Sequence, residues 1–152
     1  STLFPYTTLF RSNLFFIRIS QLEKELGNCY INEAYYYAFN PSGDFVGWVR
    51  AFVQNGIPPE EIELEYETDE KFRNQGNMTV LAKEILKEIF EEMVFDGLKV
   101  RKGQPVSSIN SIVLSINPNN FASLAVARKL GFNNLILTKD EYLKNITSSI
   151  KK

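Results

Sequence analysis

The sequence predicts a mixed α/β domain around one central sheet, and three observations carry that prediction. Two aromatic-rich segments flank a turn, an acidic segment alternates in period two, and two helical patterns bracket an apolar strand. A length of 152 residues with 44% hydrophobic content suits a single domain with one core.

Residues 14–26 (LFFIRISQLEKEL) place Phe15, Ile19, Leu22 and Leu26 at helical spacing with Gly27 as a stop, so a helix is expected; a strand over 15–19 is the alternative. Tyr30–Phe39 (YINEAYYYAF) reads as a strand, Asn40–Asp44 (NPSGD) as a turn and Phe45–Val53 as the returning strand of a hairpin. Pro58 and Pro59 put a loop over Gly56–Glu60, and the alternation of Ile62–Thr68 (IELEYET) marks a third strand. Thr79–Phe95 is the clearest helix. Its apolar face carries Val80, Leu81, Ile85, Ile89, Phe90 and Met93; Lys83, Glu84, Lys87, Glu88, Glu91 and Glu92 lie mainly opposite, and Gly97 ends it. Lys99–Ser108 reads as a polar loop, and Ser111–Ile116 as a strand too apolar for a sheet edge. A helix over Asn119–Leu130 is capped by Asn119 or Asn120 and stopped by Gly131. Leu135–Thr138 is a further short strand, and the tail from Lys139 is helical or frayed.

Composition excludes several functions. The 17 Lys and Arg nearly balance the 18 Asp and Glu, so there is no dense basic surface for nucleic acid. No apolar run approaches the ~20 residues that span a bilayer, so no membrane partner is expected. The single cysteine, Cys29, allows no intrachain disulfide, which fits the cytoplasm, and it reads as a small buried hydrophobe. Histidine is absent, which removes Ser-His-Asp and Cys-His chemistry and leaves no ligand set for zinc; no metal is expected. An enzyme of this composition moves protons with carboxylates, Tyr, Lys, Cys, a chain terminus or water. The sequons at Asn77 and Asn145 have no secretion signal to support their use.

Residues 1–12 stand apart. Thr2–Ser12 (TLFPYTTLFRS) back-translates in one frame to a common sequencing-adapter oligonucleotide, so this segment is expected to be foreign to the gene and the native domain to occupy residues 13–152.

The chemistry concentrates after the third strand. Asp69–Asn77 (DEKFRNQGN) joins that strand to the long helix. A glycine there lets backbone approach a ligand, and the helix start offers unpaired N–H groups and a positive dipole end; Arg73 adds charge. This pattern predicts a phosphate-bearing ligand, although a glycine before a helix is as often a plain turn. The P-loop and dinucleotide glycine patterns are both absent. Arg73-Asn74-Gln75-Gly76-Asn77-Met78 resembles the Gln/Arg-x-x-Gly-x-Gly/Ala signature of the GNAT superfamily of N-acetyltransferases. Upstream, ELEYETDEKF is similar to that family's strand-and-turn segment. Downstream, the stretch from Asn120 to Phe132 resembles its Asn-x-x-Ser…Lys-Leu-Gly-Phe helix.

The resemblance implies the GNAT fold: a mixed, mostly antiparallel sheet flanked by helices, here truncated at its N-terminus. Asn13–Cys29 is too short for the strand and two helices the family has before the hairpin, so part of the acceptor site would be lost. It also implies acetyl-CoA as cosubstrate. The main-chain groups of Tyr66 and Thr68 would bond the pantetheine arm. The N–H groups of Arg73, Asn74, Gln75, Gly76, Asn77 and Met78 would cradle the pyrophosphate. Asn120 would reach the pantetheine or the thioester. The acceptor would be a primary amine, on a small molecule or a peptide or protein N-terminus, and the chain a monomer or homodimer. Three departures stand out: Met78 fills the last Gly/Ala position, Glu65 stands where many relatives have Gly, and Ala127 where many have a Tyr acting as general acid. Glu63 is the first candidate for the base and Glu65 the second; a solvated charged face is the alternative for each. Tyr35–Tyr37 and Trp48 either line an acceptor pocket or simply pack. The expected function is N-acetyl transfer by direct attack in a ternary complex; a catalytically weak acyl-CoA-binding module is the alternative.

Overall fold

The computed structural model describes residues 2–9, 14–25, 28–52, 61–91, 99–101, 104–105 and 109–151. The strands are β1 (Thr2–Leu9), β2 (Phe15–Glu25), β3 (Asn28–Phe39), β4 (Phe45–Phe52), β5 (Glu61–Thr68), β6 (Lys99–Arg101), β7 (Gln104–Pro105), β8 (Ser111–Leu114) and β9 (Ile136–Thr138). The helices are α1 (Asn77–Phe90), α2 (Phe121–Leu130) and α3 (Lys139–Lys151), with a 3₁₀ turn at Glu70–Phe72. Seven strands form one sheet in the order β1-β2-β3-β4-β5-β8-β9, and β6 pairs with β7 in a separate ribbon. Every pairing in the large sheet is antiparallel except β5 with β8.

The register assigns each side chain to a face. Tyr36, Val49 and Tyr66 stand opposite one another, as do Ala34, Ala51, Leu64 and Leu114. These rows form the face under α1 and α2, and most of their members are fully buried. α1 buries Leu81, Ala82, Ile85, Leu86, Ile89 and Phe90 there. α3 joins it through Tyr142, whose ring lies 4.9 Å from that of Phe90 and whose hydroxyl donates to Glu91. The opposite face carries the rows Glu33–Phe52–Glu63–Val113, Tyr35–Arg50–Glu65 and Tyr37–Trp48–Glu67. Aromatic rings pack along it: Tyr35 on Tyr37 with centroids 5.7 Å apart, and Phe15 on Phe39 at 5.5 Å.

The hairpin, the third strand and both internal helices lie where the sequence places them, and the tail from Lys139 is helical. β8 lies inside the sheet, covered by β9. Four expectations are corrected. Residues 14–26 contain the strand β2, not a helix. Phe15, Phe16, Ile17 and Ile19 favour a pleated surface, and pairing with β3 outweighs the coincidental helical spacing. Phe16 is buried on the helix-covered face while Phe15 and Ile17 are only partly covered, which is period two. The expected polar loop at 99–108 contains the β6–β7 ribbon. Glu88, expected on the outer side of α1, is buried. α1 starts two residues earlier than expected and ends at Phe90 with Glu91 as its C-cap. Residues 92–98 and the loop at 56–60 lie outside the described residues, as does the side chain of Cys29. The main chain of Thr2–Leu9 pairs along β2 as the edge strand of the sheet.

Candidate active site

The site arises where the parallel pair opens. β5 and β8 are in register from Glu61 opposite Ser111 to Leu64 opposite Leu114. β5 then runs on to Thr68, whereas the chain after Leu114 turns away towards α2. Beyond Leu64, among the described residues, the only sheet partner of β5 is β4. Main-chain direction follows from one bond. The Asp69 N–H donates to the Val46 carbonyl at 2.8 Å, so Asp69, Glu67 and Glu65 direct their main-chain groups towards β4. The main-chain groups of Tyr66 and Thr68, one residue out of phase, face the opening. In keeping with this, the Thr68 carbonyl accepts from Arg73 Nε at 3.2 Å, on the side away from β4.

A cavity of about 950 Å³ fills the opening. Both sheet faces contribute to it. Tyr66 and Met78 come from the helix-covered face; Trp48, Glu65 and Glu67 come from the other. Thr68, Arg73, Asn74, Gly76, Asn77 and Asn120 also line it, whereas Gln75 and Glu63 are not among its lining residues. Gln75 instead donates to the Lys71 carbonyl at 3.4 Å.

The loop into α1 is shaped by two left-handed residues, Asn74 at φ 61° and Gly76 at φ 77°. Asn tolerates that region and Gly has no penalty there. Gly76 is the N-cap and supplies no side-chain acceptor, so the first-turn N–H groups of α1 have no cap and lie beside the cavity. Asn77 braces the loop by donating to the Phe72 carbonyl at 3.2 Å. Arg73 is half exposed and lies 3.8 Å from Glu67. Met78, the departure from the signature, sends its side chain towards the sheet. Its Cε lies 3.3 Å from the position of a Cβ built on Gly47, so the bulk enters the core rather than the loop.

Across the cavity, Asn120 caps α2: its Oδ1 accepts from the Ser123 N–H at 3.2 Å. Tyr66 spans the gap. Its hydroxyl donates to the Ser123 carbonyl at 2.7 Å, tying β5 to the first turn of α2, and burial pushes the phenol well above its ordinary pKa. Ala127, where the family's tyrosine would stand, is buried and carries no proton donor.

β5 carries no bulge, so Glu63, Glu65 and Glu67 share one face. Glu65 faces the cavity. Glu63 lies one row further along, nearly buried, and desolvation followed by the charge of Glu65 raises its carboxyl pKa against the lowering effect of Arg50. Of the aromatic candidates, Trp48 lines the cavity, Tyr35 and Tyr37 share its face, and Tyr36 points into the core. The sequence reading missed Arg50, Ser123 and Lys129. Arg50 gave no motif signal. Lys129, which also lines the cavity, could have been found as a cation in the last turn of the second motif helix.

An open strand edge, an uncapped helix start and a polar cavity between them suit a long ligand with amide groups at one end and phosphates at the other. Comparison with known proteins defines the class. Residues 10–133 match the acetyltransferase (GNAT) domain, and the chain belongs to that family. No curated sequence matches it. Among solved structures, the ribosomal-protein-S5-alanine acetyltransferase from Vibrio fischeri is similar, with TM-score 0.52 and 17% identity over 66% of this chain and 48% of that one. Mutant forms of the spermidine/spermine N-acetyltransferase SpeG from Vibrio cholerae give TM-score 0.56 and 12% identity over 75% and 71%. A GNAT-family acetyltransferase from Bacillus anthracis gives 0.51 and 20% over 65% and 51%. The chain thus spans about half the length of the first and third of these relatives.

Proposed function

We propose that this protein is an N-acetyltransferase that moves an acetyl group from acetyl-CoA to a primary amine of a small molecule or a peptide or protein N-terminus. One observation carries the reading: β5 loses its parallel partner at Leu64 and presents Tyr66 and Thr68 to a cavity that ends at the uncapped start of α1. In this reading the main chain of Tyr66 and Thr68 binds the pantetheine amides as an added strand would. The N–H groups from Arg73 to Met78 hold the pyrophosphate, with Lys129 and Arg73 as nearby cations. Asn120, already ordered as a cap, stands at the thioester end. Acetyl-CoA supplies the electrophilic acetyl thioester.

The chain's own task is to make the amine neutral, because an ammonium has no lone pair to attack with. Glu63, with Glu65 between it and the cavity, takes that proton directly or through one water. A carboxyl pKa raised by burial brings the base closer to the amine it must deprotonate. With no donor at Ala127, the leaving thiolate, whose ordinary pKa is roughly 8.5, can be left to water. We place the reaction in the cytoplasm, in keeping with the single cysteine. We also propose that residues 1–12 are foreign; resequencing the source gene and finding native codons for TLFPYTTLFRS would end that idea.

Calorimetric titration with CoA, followed by acetyl-CoA turnover against a panel of amines, tests the function. Micromolar CoA binding and amine-dependent thiol release are expected. The same binding without turnover on any amine would leave the acyl-CoA-binding module, the reading that the missing tyrosine favours.

A further inference from the structure

Arg50 holds the centre of the open sheet face, and each of its neighbours touches it differently. Its Nε donates to Glu33 Oε1 on β3 at 2.5 Å, and its Nη1 lies 3.5 Å from Glu65 Oε2 on β5. Its guanidinium lies 3.9 Å from the ring centroid of Phe52 and 5.9 Å from that of Tyr35. A fork with two carboxylates and an aromatic face is a fixed arrangement, because the planar group is held on its edges and on its plane. Glu63 is in the next row, opposite Phe52 on β4 and Val113 on β8. Glu61 and Glu65 flank it on its own strand, Arg50 is diagonal to it, and Glu33 and Tyr35 stand one strand beyond. Among the described residues the Glu63 carboxylate has neither a hydrogen bond nor an ion pair, although the residue is nine-tenths buried.

We infer that Arg50 is a positioning residue that assigns the two candidate carboxylates their roles: by engaging Glu33 and Glu65 it leaves Glu63 as the carboxylate that takes the acceptor's proton. This rests on the reading of Glu63 as base. In the step concerned, an N–H bond of the acceptor ammonium breaks, an O–H bond forms on Glu63, and the electron pair stays on nitrogen. Glu65 is engaged by Arg50 across the strand pair, whereas no ion pair holds the Glu63 carboxylate among the described residues. The nearby guanidinium also lowers the proton affinity of Glu63, opposing burial and the charge of Glu65, which raise it.

Carboxyl-carbon NMR titration of the unliganded protein reads the effect without turnover, and the pH profile of kcat/KM reads it with turnover. In Arg50→Gln the Glu63 carboxyl should titrate higher by about half a unit to one unit, and the acidic limb of kcat/KM should move with it. Arg50→Lys should restore the charge and most of the shift. Glu33→Gln, which releases Arg50 towards β5, should move Glu63 the other way and serves if Arg50→Gln does not fold. Unchanged Glu63 titration in both Arg50→Gln and Glu33→Gln overturns the inference. An acidic limb that vanishes in Glu63→Gln but stays put in Arg50→Gln overturns it while sparing the base. A limb that persists in Glu63→Gln removes the base itself.

Discussion

The carboxyl of Glu63 binds its proton more tightly in the folded protein than in the unfolded chain, because burial and then Glu65 disfavour its charge. The stability it contributes is therefore present below the unfolded pKa and is lost as pH rises through the raised folded value. Glu63→Gln should raise the melting temperature at pH 7 relative to wild type and flatten stability against pH above 4.5. The same variant should lower kcat by about 10²–10⁴ with CoA affinity intact. Thermal melts at several pH values and steady-state kinetics measure the two effects; equal melting curves at pH 7 would deny that the buried charge costs anything. Gly76 makes a second residue-scale case. A Cβ there meets nothing within 4 Å, but φ is 77°, so Gly76→Val acts through backbone strain. The expected costs are ~1–2 kcal/mol of stability by denaturant titration and more than tenfold in CoA affinity by calorimetry. Gly76 and Glu63 stood out in the sequence because each belongs to a pattern, a glycine between strand and helix and an alternating acidic strand, and the structure places Gly76, but not Glu63, on the cavity wall. Arg50 did not stand out, since its two carboxylate partners sit on other strands and only register brings them together.

At the scale of elements, the long helix and the strand before it were legible because hydrophobic periodicity and a glycine punctuate them. β2 was not. Its spacing fits both periods, and the choice is made by β3, a partner the local sequence cannot name. β8 ends two residues before the predicted Ile116 for a related reason: after Leu114 the chain leaves β5, and Ser115 and Ile116 become cavity wall. The Tyr66 hydroxyl on the Ser123 carbonyl ties the two arms of that opening together. Tyr66→Phe should cost about 1 kcal/mol in denaturant titration. It should also weaken CoA binding several-fold, because the first turn of α2 is then less firmly held against β5. A Tyr66→Phe protein with wild-type CoA affinity would show that the separation is set by packing alone.

The whole molecule is organised by one buried polar cluster and one broken pairing. The cluster lies between sheet and α1, where the phenol of Tyr36 is fully buried and both Glu88 and Arg18 act on it. Glu88 was read as solvent-facing because side-chain type alone puts a glutamate outside; its neighbours come from β2 and β3, which only the assembled sheet brings beneath the helix. Removing one charge from such a cluster strands the other, so Glu88→Ala should destabilise by roughly 3 kcal/mol or more in denaturant titration. A loss below 1 kcal/mol would mean that water reaches Arg18 in the variant. The broken pairing has a consequence beyond ligand binding. From Tyr66 to Thr68 the main chain presents donors and acceptors that, among the described residues, no neighbouring strand takes up on that side, much like the rim of an unfinished sheet. Such a rim accepts any extended peptide, including a segment of another copy, and proteins usually blunt it with charge or cover. Here Glu65, Glu67 and Arg73 supply the charge, and under the proposed function a bound pantetheine arm would supply the cover, shielding the strand edge as well as presenting the acetyl group.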